Sequence, residues 1–292
     1  MFQSIPFQYE EELQKEIALR NYSHCTFLNY KSHLRRLAEF AGVDIALVTS
    51  QQCKDYLFHL TTVEKRGANT INTCRSAYLF FRNAVLNDPV NPLFIPYRKP
   101  SHALPTILST DEIITLLDRV HPLKCRAILS LCYGSGLRIS EALNLRIHDI
   151  DSTKMRVFVK SGKGDKDRFT ILSVHSLNLL RKYWRKYKPQ GSIMFPGNNP
   201  EKPIPVQNVQ QAFKEAVAIA NLCHNEEKIT THTLRHCFAT HLLDAGTTLR
   251  SIQLLLGHKS IASTCIYLHL TEQHMSGIVS PIDRKDGDSL GL

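Results

Sequence analysis

Residues 232–267 read HTLRHCFATHLLDAGTTLRSIQLLLGHKSIASTCIY, and glycine divides the stretch. Gly246 and Gly257 each follow a run whose apolar side chains recur at three- and four-residue spacing. Glycine just past such a run is where a helix stops, because it adopts a left-handed cap without strain. Helices are therefore expected over about 232–245, 248–256 and 260–270. On the first, His232 and Arg235 share a face, since residues three apart are neighbours on a helix surface. His258 stands directly after the second stop, and Tyr267 comes nine residues later. Taken singly, each is most simply a solvated or half-buried helix residue.

Working outward, Gly134-Ser135-Gly136 ends a helix expected over about 124–133, and Arg138 and Glu141 follow it, three apart at the start of another helix. Met155–Lys160 and Arg168–Leu172 are short runs rich in β-branched or aromatic residues. They flank Ser161-Gly162-Lys163-Gly164-Asp165 and read as a β-hairpin with Lys163 at its tip. Helices resume over about 174–188 and 206–221, and Ser109-Thr110-Asp111-Glu112 is a capping box opening an earlier one. From Ser280 the chain is polar and rich in Gly and Asp, a loose tail.

Five prolines fall between Pro89 and Pro105. Lacking a backbone donor and pushing its predecessor out of the α region, proline predicts a stiff, extended connector over 89–105. Before it, helices are expected near 8–20, 23–41, 50–61 and 68–87, a four-helix bundle over 1–88. The apolar stripe Phe27, Tyr30, Leu34, Leu37 and Ala41 leaves Lys31 and Arg35 on another face. Ile71, Cys74, Tyr78, Phe81 and Val85 likewise leave Arg75 and Arg82. After the connector, 106–292 reads as a mostly helical unit with a small antiparallel sheet.

The chain has 292 residues, 43% of them hydrophobic and 21% charged, enough for sizeable cores and too apolar for wholesale disorder. A net charge of +10 suits a polyanionic partner, nucleic acid before an acidic membrane. The basic helix over 174–188 could lie on a membrane, but its stripe Leu177, Leu180, Trp184 and Tyr187 fits a core better. No apolar run approaches the ~20 residues of a membrane span, and no signal peptide is evident, so a cytoplasmic location is expected. The eight cysteines are scattered without a C-x-x-C pair, as expected of reduced, mostly buried thiols. His232, His236 and Cys237 raise a zinc question, but no second ligand pair stands at finger spacing, and no metal is expected.

In combination these segments resemble the tyrosine recombinases, the phage-integrase and Xer-type enzymes. Gly136-Leu137-Arg138-Ile139-Ser140-Glu141 resembles the family's first arginine motif. His232-Thr233-Leu234-Arg235-His236-Cys237-Phe238-Ala239-Thr240-His241 resembles its second, with Cys237 where members often carry Ser or Thr. Leu255-Leu256-Gly257-His258 with Thr264 and Tyr267 resembles its third, and Lys163 falls where the hairpin lysine would. The resemblance spans roughly 8–272.

It implies an N-terminal DNA-binding bundle, with Lys31, Arg35, Arg75 and Arg82 as candidate DNA contacts, joined to a catalytic domain of the DNA breaking-rejoining type. The implied catalytic set is Tyr267, Arg138, Lys163, His232, Arg235 and His258, supported by Glu141. A phenol can hold a cut strand covalently, and two guanidinium forks with an imidazole can stabilise the charge that grows on nonbridging phosphate oxygens. A lysine can protonate the leaving 5′ oxygen, and His232 can assist deprotonation of Tyr267. Glu141 would orient Arg138 or His232, while His236 and His241 read as structural or DNA-backbone residues. The implied partner is double-stranded DNA, bound as a homotetramer on two sites, with accessory DNA-bending or directionality proteins and neither cofactor nor ATP. Type IB topoisomerase-like relaxation, and a non-catalytic DNA-binding regulator on the same fold, remain alternatives.

Overall fold

A computed structural model describes residues 7–99, 105–160, 167–222 and 229–269. The chain divides into two compact units, 1–103 and 104–292.

The first unit is the expected helical bundle: α1 (Glu10–Leu19), α2 (His24–Ala41), α3 (Ser50–Thr62) and α4 (Ala68–Phe80), the last continued by a wider π turn (Phe81–Val85). Ser23 caps α2 by accepting from the Thr26 amide, and Thr49 with Gln52 forms a capping box on α3. These side chains satisfy amides that a helix start leaves unpaired. The apolar stripes meet in one core that includes Leu13, Phe27, Leu34, Leu37, Leu60 and Tyr78.

Part of the proline-rich stretch is fastened to this unit. Ile95 is fully buried in its core. Arg75 donates to the carbonyls of Ile95 (2.7 Å) and Pro92 (2.8 Å), and Asn72 exchanges two hydrogen bonds with the Arg98 backbone. Arg82 donates to the Ala46 carbonyl (3.1 Å) and pairs with Asp88. Arg75 and Arg82, which sequence reasoning offers to DNA, are thus engaged within their own unit. Lys31 pairs with Glu10 (2.5 Å) and Arg35 with Glu39 (3.4 Å) at the surface.

In the second unit, α5 (Thr110–Arg119) begins at the expected capping box, and α6 (Leu123–Gly134) forms the centre. Ala127, Ile128, Leu129, Leu131 and Cys132 are all fully buried on α6. Around it pack α8 (Val174–Tyr187), α9 (Val206–Ile219) and α10 (Thr231–Asp244). The short α7 (Ile139–Leu143) leads to the sheet β1 (Ile150–Asp151), β2 (Arg156–Val159) and β3 (Arg168–Ile171). The sheet is antiparallel in the order β1-β2-β3, with Val157 opposite Thr170 and Val159 opposite Arg168. The chain then continues through α11 (Leu249–Leu256) to α12 (Ala262–Cys265) and a 3₁₀ turn (Ile266–His269).

One expected helix is interrupted. Over 260–269 a single α turn gives way to a 3₁₀ turn, where Thr264 is buried and shares a hydrogen bond (3.0 Å) with Nδ1 of His258. That side-chain bond draws the segment back towards the end of α11. Among the described residues, no helix is long and apolar enough to cross a membrane.

Candidate active site

Arg235 is the pivot of the site. It lies on α10 with only 1% of its surface exposed. Its Nη1 donates to the carbonyl of Gly136 (2.6 Å) and its Nη2 to that of Leu256 (2.7 Å). Both acceptors are carbonyls next to helix ends, where no intrahelical partner is available. One guanidinium therefore ties the end of α6 to the end of α11. Gly136 has φ +64°, and a Cβ there would stand 2.4 Å from Cδ1 of Phe238, so glycine is required by conformation and by space.

Arg138 caps α7 and faces Glu141. Its backbone amide donates to Oε2 and its Nη1 to Oε1, both at 2.8 Å. Glu141 also accepts from Arg168 Nη1 (3.0 Å) and Nη2 (2.8 Å), and lies 3.6 Å from Arg235 Nη1. Its partners are thus three arginines, and the expected alternative of orienting His232 gives way to Arg138. Burial raises a carboxyl's pKa, but here hydrogen bonds and charge from Arg168, with Arg138 and Arg235, outweigh it and hold Glu141 down at about 2. Burial, reinforced by Arg138, lowers Arg235 to about 10, which leaves it cationic at neutral pH.

Sequence reasoning missed Arg168. The sequence places it only at the start of a hairpin strand, yet it is 8% exposed and points inward. Besides Glu141, its Nε donates to the Leu255 carbonyl (2.8 Å). Its side chain fills the space above Gly257, where φ is +67° and an added Cβ would meet Arg168 Cδ at 2.8 Å.

His258 follows that glycine. Its amide donates to the Gln253 carbonyl (3.1 Å), its carbonyl accepts from Gln253 Nε2 (3.0 Å), and its ring meets Thr264. Burial, followed by Arg235, Arg138 and Arg168, pushes its imidazole down to about 4. The ring lies nearly parallel to that of Tyr267, with centroids 6.4 Å apart.

Tyr267 is 1% exposed, packed with Phe238, Leu243, Ile252 and Leu256. Burial raises its phenol above the usual value, while Arg235 and Arg138 pull the other way. Its hydroxyl partners Nδ1 of His236 at 3.1 Å. His232, one turn earlier, is exposed and sets its ring edge-on to His236, centroids 4.6 Å apart. The histidine in contact with the phenol is therefore His236, which sequence reasoning set aside as structural. The signal was present in the four-residue spacing of the two histidines. His241 hydrogen-bonds Tyr133 (2.9 Å) at the far side of α10.

Lys163 lies outside the described residues, as do Cys223 and His224, although β2 and β3 pair as the hairpin reading requires. Among the described residues, no three His, Cys, Asp or Glu side chains gather closely enough to hold a metal ion. An open cleft of about 840 Å³ flanks Glu141, lined by Ser140, Asn144, Arg146, Lys160 and Glu201 among others.

Arginines from two separate helices, a histidine beyond a third and a buried tyrosine are thus gathered around a polar core. The same segments carry a family match: residues 106–274 fit the phage integrase family, and residues 10–92 fit the phage integrase N-terminal SAM-like domain. The chain belongs to the phage integrase family. Among related phage integrase family proteins, an integrase/recombinase of Sinorhizobium fredii (strain NBRC 101917 / NGR234) is 38% identical over 94% of this chain and 88% of its own. The tyrosine recombinase XerD of Rickettsia bellii (strain RML369-C) is 34% identical over 90% of this chain and 94% of its own. A solved structure of a lambda integrase dimer bound to a core site shares the fold, with TM-score 0.70 at 20% identity, covering 87% of this chain and 95% of that one. As a tyrosine recombinase by family, this chain is an enzyme, and its mainly helical fold with a small antiparallel sheet is the expected one.

Proposed function

We propose that this chain binds duplex DNA and exchanges strands between two specific sites through Tyr267. The phenolic oxygen attacks the scissile phosphorus, the bond to the 5′ oxygen breaks, and the strand is held as a 3′-phosphotyrosine. Arg138 and Arg235 stabilise the charge growing on the nonbridging oxygens, and His258 adds a third donor. Lys163 supplies the proton that the departing 5′ oxygen needs, and His232 receives the phenol proton. The freed 5′-hydroxyl of a partner strand then reverses the step, so bond energy is conserved without ATP or a metal ion. Lys31 and Arg35, at the surface of the first unit, contact DNA phosphates, while Arg75 and Arg82 orient the segment they hold. The working assembly is a homotetramer on two DNA sites, assisted by DNA-bending or directionality proteins.

The observation that carries this reading is the convergence of Tyr267, His258 and Arg235 from separate segments, with Arg235 bonded to Gly136 and Leu256 and the rings of His258 and Tyr267 nearly parallel. The test uses a nicked duplex that traps covalent complexes, drawn from a library of genomic fragments, in excess chelator. Wild-type protein should form adducts, and Tyr267→Phe should bind DNA without forming any. Adducts that persist in Tyr267→Phe, or that require added magnesium, would overturn the reading.

A further inference from the structure

We propose that His236 is the positioning residue for the nucleophile, holding the Tyr267 hydroxyl through Nδ1 and so fixing the direction from which it meets phosphorus. The inference rests on Tyr267 being the nucleophile. The contact is 3.1 Å, and it is made from α10 directly beside Arg235. The preceding residue, Arg235, is anchored at both ends of its guanidinium, so the backbone at His236 has little freedom. On its other flank the His236 ring meets the edge of His232. Tyr267 needs such a partner, because a hydroxyl buried without a hydrogen bond is costly and the ring around it touches Phe238, Ile252 and Leu256.

The proposed bond runs from the phenol to the imidazole. Burial raises the phenol, so its proton is present and the hydroxyl is able to donate to Nδ1. In that arrangement Nδ1 is bare and Nε2 carries the imidazole proton. Burial, with His232 and Arg235, also pushes His236 down to about 4. With the phenol pushed up and the imidazole pushed down, proton transfer from Tyr267 to His236 in the free enzyme is strongly disfavoured. His236 is therefore suited to aiming the hydroxyl, and deprotonation falls to another group.

Three variants separate aiming from acting as a base or merely supporting the fold. Asparagine places an amide oxygen near the site of Nδ1, glutamine reaches towards Nε2, and alanine offers neither. Single-turnover adduct formation on the nicked duplex should slow about 10- to 100-fold in His236→Ala, the scale of a small misplacement of a reacting group. DNA affinity should stay within about twofold, because the loss lies in the reacting geometry and not in uniform binding. His236→Asn should regain most of the rate, and His236→Gln should stay near alanine. A His236→Ala rate equal to wild type overturns the inference, as does His236→Asn that is folded yet as slow as alanine. Nitrogen NMR of the wild-type protein is independent of any variant's folding: it should show Nδ1 of His236 without a proton, and a proton there refutes the arrangement. Adducts from Tyr267→Phe would instead refute the assignment of the nucleophile.

Discussion

Replacing Glu141 with glutamine removes the negative charge shared by Arg138, Arg168 and Arg235 while keeping the shape. The carboxyl sits at about 2 against an ordinary 4.5, which at ~1.4 kcal/mol per pH unit is worth about 3 kcal/mol of stability at neutral pH. The side chain is only 11% exposed, so solvent screening removes little of this. Because the folded value lies below the unfolded one, the stabilisation is fully present above about 4.5 and fades as pH falls towards 2. Glu141→Gln should therefore be about 3 kcal/mol less stable at pH 7 and only about 2 kcal/mol less stable near pH 3.5. Urea unfolding followed by tryptophan fluorescence measures this directly. Trp184 is the chain's single tryptophan and lies on α8, so the signal reports the second unit. A deficit below ~1 kcal/mol at pH 7, or one that does not change with pH, would refute the three-arginine account.

Gly136→Ala should cost about 2–4 kcal/mol in the same assay, combining left-handed strain with a Cβ forced against Phe238, and should abolish strand cleavage by displacing an acceptor of Arg235. Loss smaller than ~1 kcal/mol would mean the turn relaxes freely. Lys163→Ala should be severely slow on ordinary DNA and recover on a substrate whose 5′-bridging oxygen is sulfur, since a thiolate leaves without a proton; Arg138→Ala should not recover. Equal slowness on both substrates in Lys163→Ala would assign the proton to another group.

The helices were legible because their apolar periodicity coincides with glycine stops and capping residues, as Gly246, Gly257 and Ser109 illustrate. The failures have one physical origin. On β3 the residues that look outward-facing point in: Arg168 and Thr170 are buried while Phe169 and Ile171 are exposed. Alternation alone assigns the opposite faces, and only the buried Glu141 explains why an arginine is accommodated inside. His236 was passed over for a similar reason, since its partner is 31 residues away and reaches it only through the fold. The bonds of Arg75 were not legible either, because its acceptors are backbone carbonyls, which leave no mark in a sequence.

Arg235 has a bearing on how such a gene decays. Its guanidinium joins two parts of the catalytic unit before any phosphate arrives, so a descendant that loses it loses the scaffold along with the chemistry. Tyr267 is different: phenylalanine removes one hydroxyl and keeps the ring that fills the pocket among Phe238, Ile252 and Leu256. A lineage that gives up strand cutting yet keeps binding its sites should therefore retain the arginines and Glu141 under selection for folding, and shed the phenolic oxygen first. On the proposed mechanism, intact arginines would then mark ancestry, and the tyrosine alone would mark a working copy.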